Sequence, residues 1–217
     1  PSSPEEWRDG TVGTEERYRM SGIEVKICGL KTVESARAAC RAGAEYVGVV
    51  FAERLRRVTC EEAARVVAVL NGGTRAVGVF VDAMPSDILL HRDVAGFDIV
   101  QLHGSESPSD CQMLRTEGLM VWKAVRPTKR QDIVDAWAYY AAVSDAILVE
   151  GFSVEAAGGT GATFPYDWLA GLDRSGPRLV LAGGLTIKNV CTAIEKVRPD
   201  IVDVSSAVED MPGVKSP

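Results

Sequence analysis

From residue 24 onward, short runs of aliphatic and β-branched residues alternate with longer stretches whose apolar positions recur at helical spacing. The apolar runs predict strands at Glu24–Cys28, Glu45–Phe51, Arg75–Val81, Asp98–Leu102, Met120–Ala124, Ala146–Glu150, Arg178–Ala182 and Ile201–Ser205. Runs such as YVGVVF and RLVLA are apolar on both alternating faces, as expected of a parallel sheet covered on both sides. The intervening segments carry helix start and stop signals. TVESARAACRAG opens on Thr32 and closes at Gly43, and TCEEAARVVAVLNGG offers Thr59 or Cys60 as its cap, with Glu61 and Glu62 in the first turn. PSDILLHRDVAG and SPSDCQMLRTEG end on glycine, and TKRQDIVDAWAYYAAV, YDWLAGLDRSG and TIKNVCTAIEKVRP complete the set.

Eight strands alternating with helices predict an α/β fold, a compact parallel (β/α)8 barrel of the TIM type, with the eighth helix missing or not included. An open doubly wound sheet is disfavoured because no GxGxxG follows the first strand. Residues 1–22 read as a polar N-terminal extension and residues 23–217 as one barrel domain, with Met20 a candidate start of the domain proper. The extension lacks the apolar stretch of a signal peptide.

Composition narrows the function classes. A net charge of −6 recommends neither a nucleic-acid nor an anionic-membrane partner, so an anionic substrate needs a local positive site. No apolar run reaches membrane-spanning length. The five cysteines, at 28, 40, 60, 111 and 191, form no CxxC pair, and only two histidines accompany them. Structural zinc and a disulfide framework are therefore not expected, and reduced thiols fit a cytoplasmic setting.

In such a barrel the chemistry sits at the carboxyl ends of the strands. Those ends read Cys28-Gly29, Phe51 leading into AERLRR, Asp82, QLHG from Gln101, Lys123 to Arg126, Glu150, Gly183-Gly184 and SSAVE from Ser205. A thiol after the first strand and a carboxylate after the sixth stand on opposite sides of the ring. One proton donor and one acceptor so placed suit an aldose–ketose isomerisation. AGGLT and SSAVE, after the seventh and eighth strands, suit a phosphate site built from backbone N–H groups, and GGTGATF at 158–164 is a further glycine-rich loop.

Read together, VKICGL, AGAEYVGVVFA, VGVFVD, DIVQLHGSE, KAVRP, GGTGATF, LAGGLT, VRPDIVDVSS and PGVK resemble the phosphoribosylanthranilate isomerase family of tryptophan biosynthesis, over Val25 to Lys215. The resemblance implies an Amadori rearrangement of a small phosphorylated substrate, with no metal and no organic cofactor. It implies Cys28 as general base and Glu150 as general acid. It also implies Arg57, by ungapped alignment from Phe51, facing the anthranilate carboxylate, with Arg56 a competitor for that role. His103 is either a substrate contact or a strand cap. Gly159, Gly161, Gly183, Gly184, Ser205 and Ser206 complete the expected substrate-binding set. Lys26, two residues before Cys28 on the same strand face, is a candidate for activating the thiol. Asp82 and Asp203 read as orienting or structural groups, and Cys40, Cys60, Cys111 and Cys191 as packing. The expected assembly is a monomer or homodimer.

Four positions depart from the family pattern. Glu150 replaces aspartate, Leu55-Arg56 replaces Ser-Pro, TFPYDW carries two additional residues, and Ala207 stands where glycine is usual. Two alternatives follow: a paralogous Amadori isomerase for a modified ribosylamine, or a non-catalytic barrel that binds a phosphometabolite.

Overall fold

The computed structural model describes residues 22–151 and 165–216. Eight parallel strands close into a barrel: β1 Glu24–Cys28, β2 Tyr46–Val50, β3 Arg75–Phe80, β4 Ile99–Leu102, β5 Met120–Val125, β6 Ala146–Glu150, β7 Arg178–Ala182 and β8 Ile201–Val204. Each strand pairs with the next in sequence, and β8 returns to β1 with Lys26 opposite Asp203. Among the described residues six α-helices lie between strands: α1 Val33–Arg41, α2 Cys60–Val67, α3 Pro85–Ala95, α4 Pro108–Thr116, α5 Arg130–Tyr140 and α6 Val190–Val197. The (β/α)8 expectation holds.

Local chemistry explains the helix starts. Thr59, not Cys60, caps α2 in a reciprocal capping box with Glu62, and Ser107 does the same for α4 with Asp110. Two expectations are corrected, and one element is new. YDWLAGLDRSG forms only a 3-10 turn at Tyr166–Leu169, because the backbone is extended at Ala170 and left-handed at Gly171. The segment TIKNV turns before it winds: Asn189 Oδ1 accepts from the Thr186 amide, so α6 begins at Val190. After β8 comes an unanticipated antiparallel hairpin, β9 Glu209–Met211 and β10 Val214–Lys215. The N-terminal extension, apart from Gly22, lies outside the described residues.

The pleat decides what faces inward. Alternate residues point to one face of a strand, so Glu24-Lys26-Cys28, Ile99-Gln101-His103, Ala146-Leu148-Glu150 and Ile201-Asp203-Ser205 share the barrel interior. An apolar layer that includes Val77, Ile99, Trp122, Ala146, Leu148, Val180 and Ile201 fills the lumen. The larger apolar clusters lie between the strands and the helical ring. The same parity that buries these residues lifts polar side chains to the carboxyl rim.

Candidate active site

A cavity of about 260 Å³ opens at that rim. Its lining includes Cys28, Arg54, Arg56, Gln101, His103, Arg126, Glu150, Gly183, Gly184, Asp203, Ser205 and Ser206. Cys28 and Glu150, read from sequence as opposite members of a pair, thus border one hollow.

Beneath the thiol lies a buried cation. Lys26 is fully buried, and its Nζ donates to Asp203 Oδ2 at 2.8 Å and to Gln101 Oε1 at 2.9 Å. Burial pulls its pKa down, but Asp203 and Cys28 more than offset this, so the ammonium holds its proton. For Cys28 the balance runs the other way: burial pushes the thiol up, and Lys26 is the main influence pulling it back. Gly48 makes room for the sulfur, since a Cβ there would stand 2.8 Å from Cys28 Sγ.

The lysine also fixes a tautomer. An ammonium only donates, so Gln101 must offer Lys26 its carbonyl oxygen. Its amide nitrogen then donates to His103 Nδ1 at 2.9 Å, which leaves the histidine proton on Nε2. That nitrogen lies 3.2 Å from Glu150 Oε2. A polar chain therefore runs Asp203–Lys26–Gln101–His103–Glu150 across the barrel. One oxygen in it, Asp203 Oδ1, is buried without a hydrogen-bond partner.

Glu150 Oε2 also accepts from Arg126 Nε at 2.5 Å. The β5–β6 register, with Val125 opposite Val149, sets these residues side by side. Burial favours the neutral carboxyl, but His103 and Arg126 outweigh it and hold Glu150 at about 2. In this arrangement the carboxylate is ionised at neutral pH, and the one proton of the pair resides on sulfur.

The loop after β2 departs from the sequence reading. Arg57 does not line the cavity: its guanidinium pairs with Glu53, and its backbone is tied beside β2 through a bridge to Val50. Arg54 and Arg56 line it instead. Arg56 makes a two-point pair with Glu209, at 2.7 and 2.8 Å, which anchors the hairpin to this loop. Lys215 completes that knot, donating to Glu209 at 2.7 Å and to the Ser205 carbonyl at 2.8 Å. Arg56 first, and Lys215 after it, hold Glu209 at about 2.

Across the cavity, Gly183 adopts φ +86, and a side chain there would collide with the backbone of Gly151. Gly183, Gly184 and Ser206 line the wall after β7 and β8, while the Ser205 hydroxyl is committed to the Cys28 carbonyl at 3.0 Å. Gly159 and Gly161 lie outside the described residues. Asp82 is structural, at φ 52 with Oδ1 accepting from the Ser105 amide at 2.6 Å. Gln101 and Arg126 stood within the quoted strand ends but had been given no role. Inward parity marks Gln101, and nearness to the β6 carboxylate marks Arg126. Among the described residues no cluster of three His, Cys, Asp or Glu side chains is arranged to hold a metal ion.

Comparison with known proteins gives a consistent picture. Residues 25–217 match the family described as N-(5'-phosphoribosyl)anthranilate (PRA) isomerase. The chain is 42% identical over 195 residues to the N-(5'-phosphoribosyl)anthranilate isomerase of Rubrobacter xylanophilus, covering 89% of this chain and 93% of that one. It is 40% identical over 199 residues to that of Desulforamulus reducens, covering 89% and 92%. Among solved structures, phosphoribosyl anthranilate isomerase from Thermotoga maritima superposes with a TM-score of 0.81 at 36% identity, covering 89% and 93%. A phosphoribosyl anthranilate isomerase in complex with reduced 1-(o-carboxyphenylamino)-1-deoxyribulose 5-phosphate gives 0.75 at 34% identity, covering 89% and 92%.

Proposed function

The chain belongs to the N-(5'-phosphoribosyl)anthranilate isomerase family, and from that premise we propose which of its residues carry the reaction. The reaction is an Amadori rearrangement that turns N-(5'-phosphoribosyl)anthranilate into 1-(2-carboxyphenylamino)-1-deoxyribulose 5-phosphate. Glu150 gives a proton to the furanose ring oxygen as the C1′–O bond breaks, and the nitrogen lone pair forms C=N. The Cys28 thiolate then takes the C2′ proton. The released electron pair forms C1′=C2′, and the C=N pair returns to nitrogen. Loss of the enol proton from oxygen and gain of one at C1′ yield the ketone, so no atom is gained or lost overall.

The observation that carries this reading is the common cavity that Cys28 and Glu150 border from opposite sides of the ring. Lys26 makes the thiolate attainable from a buried thiol. His103, its proton held on Nε2 by Gln101, keeps the Glu150 carboxyl aimed into the site. The glycine-lined wall of Gly183 and Gly184, with Ser206, takes the phosphate through backbone N–H groups. The arylamine lies toward Arg54 and Arg126. Arg57 contributes only by leaving Glu53, a movement its half-exposed side chain permits.

The test is turnover of the purified protein. Cys28→Ala and Glu150→Gln are each expected to lose about 10² to 10⁴ in kcat, and full rate in either variant removes that residue from the mechanism. A dimeric relative is known from Thermotoga maritima. For this chain we infer a monomer or homodimer, read by sedimentation. No helix among the described residues is long and apolar enough to cross a membrane, and a cytoplasmic location is our inference from the reduced thiols.

A further inference from the structure

Arg126 has no part in the steps above, yet it holds the group assigned as the acid. Two donors converge on Glu150 Oε2, and they differ in freedom. The His103 side chain is 13% exposed and is fixed from behind by Gln101 and Lys26. The Arg126 side chain is 48% exposed and touches Glu150 through Nε alone. It also borders a second hollow, whose lining shares Arg54 and His103 with the first. A guanidinium prefers a planar carboxylate that accepts two parallel N–H bonds. The contact with Glu150 is a single bond, and the arylamine of the substrate carries such a carboxylate.

We propose that Arg126 masks the acid: it pairs with Glu150 until the carboxylate of the arylamine takes it over, and only then does Glu150 acquire the proton it donates. The proposal rests on the reading of Glu150 as acid. Around Glu150 stand His103 from β4, Arg126 from β5, Asp203 from β8, and Lys26 and Cys28 from β1, while β7 brings only Ala182 and Gly183. Once Arg126 is drawn off, burial, which favours the neutral carboxyl, is opposed chiefly by His103. The incoming anions push in the same direction. The proton comes from solvent through the mouth of the cavity. Binding and acid activation are thereby one event, and an amine lacking the carboxylate binds without arming the acid.

The experiment is a carbon-13 NMR titration of enzyme labelled at the glutamate carboxyls, with the Glu150 resonance assigned by its loss in Glu150→Gln. Two ligands are compared: reduced 1-(o-carboxyphenylamino)-1-deoxyribulose 5-phosphate, and its phenyl counterpart without the carboxylate. The first is expected to raise the Glu150 pKa by about 3 to 5 pH units, toward neutrality, and the second to leave it nearly where it was. In Arg126→Met the pKa is already raised without ligand, the carboxylated ligand adds little, and KM rises by more than kcat falls. Arg126→Lys keeps the charge but not the fork, and retains the low pKa. Equal shifts with both ligands, or an unmoved pKa in Arg126→Met, overturn the mask. If Glu150→Gln abolishes turnover while Arg126→Met leaves the titration unchanged, the mask alone has failed. If Glu150→Gln turns over normally, the acid assignment has failed and the mask with it.

Discussion

Replacing Lys26 by methionine separates what the buried lysine does for the fold from what it does for the thiol. The ammonium is fully buried and forms the 2.8 Å pair with Asp203, whose second oxygen already lacks a partner. Removing it leaves a carboxylate inside the barrel with no counter-charge and strips Gln101 Oε1 of its donor. Breaking one side of a buried pair costs about 3 to 5 kcal/mol. For a domain of this size, that lowers Tm by about 6 to 20 °C. The double variant Lys26→Met/Asp203→Leu leaves neither charge behind and is expected to recover most of the loss. Reactivity follows another course. Lys26 is the principal influence holding the thiol down against burial, so alkylation of Cys28 at neutral pH slows by about tenfold or more in both variants. Scanning calorimetry reads the first effect, and residue-resolved mass spectrometry after timed alkylation reads the second. A Tm within about 2 °C of wild type in Lys26→Met, or unchanged Cys28 alkylation in the double variant, refutes the reasoning.

Further predictions concern the cavity and its charges. Gly48→Ala sets a methyl 2.8 Å from Cys28 Sγ and is expected to cut kcat by about 10²-fold through displacement of the thiol while the far-ultraviolet circular dichroism is kept; undiminished kcat contradicts the packing account. Glu150→Asp shortens the reach to His103 by about 1 Å and is expected to lower kcat by a similar factor; a gain in rate shows that the neighbours do not depend on glutamate. Stability should fall in acid. Glu150 and Glu209 both sit at about 2 in the folded protein, below the unfolded value of about 4.3. Depressed carboxylates contribute stability that is fully present above the unfolded value and lost as pH falls from there toward 2. Tm should be level above about pH 5 and drop below it, with a smaller drop in Glu209→Gln; equal slopes for that variant and wild type exclude Glu209 as a source.

Much of this arrangement was legible in the sequence because a parallel barrel writes its strands as apolar runs. Glu24–Cys28, Ala146–Glu150 and Arg178–Ala182 have the bounds read from the sequence, and the other strands differ by one residue at one end, or at both ends in β2. Period-two parity then carries Cys28, His103 and Glu150 to one rim without any knowledge of loops. What was not legible depends on distant partners. The β9–β10 hairpin is short, and its anchor, Glu209 to Arg56, spans 153 residues of sequence. Among three neighbouring arginines, alignment favoured Arg57, but loop side chains obey no period. The structure turns Arg54 and Arg56 to the cavity and Arg57 to Glu53. The ion pair of Arg126 with Glu150 follows from the β5–β6 register, which composition and spacing do not fix.

The division of labour between the thiol and the carboxylate is tested most directly by the isotope effect on kcat with substrate deuterated at C2′. Weakening the base makes C–H cleavage limiting, whereas weakening the acid makes ring opening limiting. A large primary effect is expected in Cys28→Ser and one near unity in Glu150→Gln. The reverse pattern, a large effect in Glu150→Gln and none in Cys28→Ser, would contradict the assignment of base and acid.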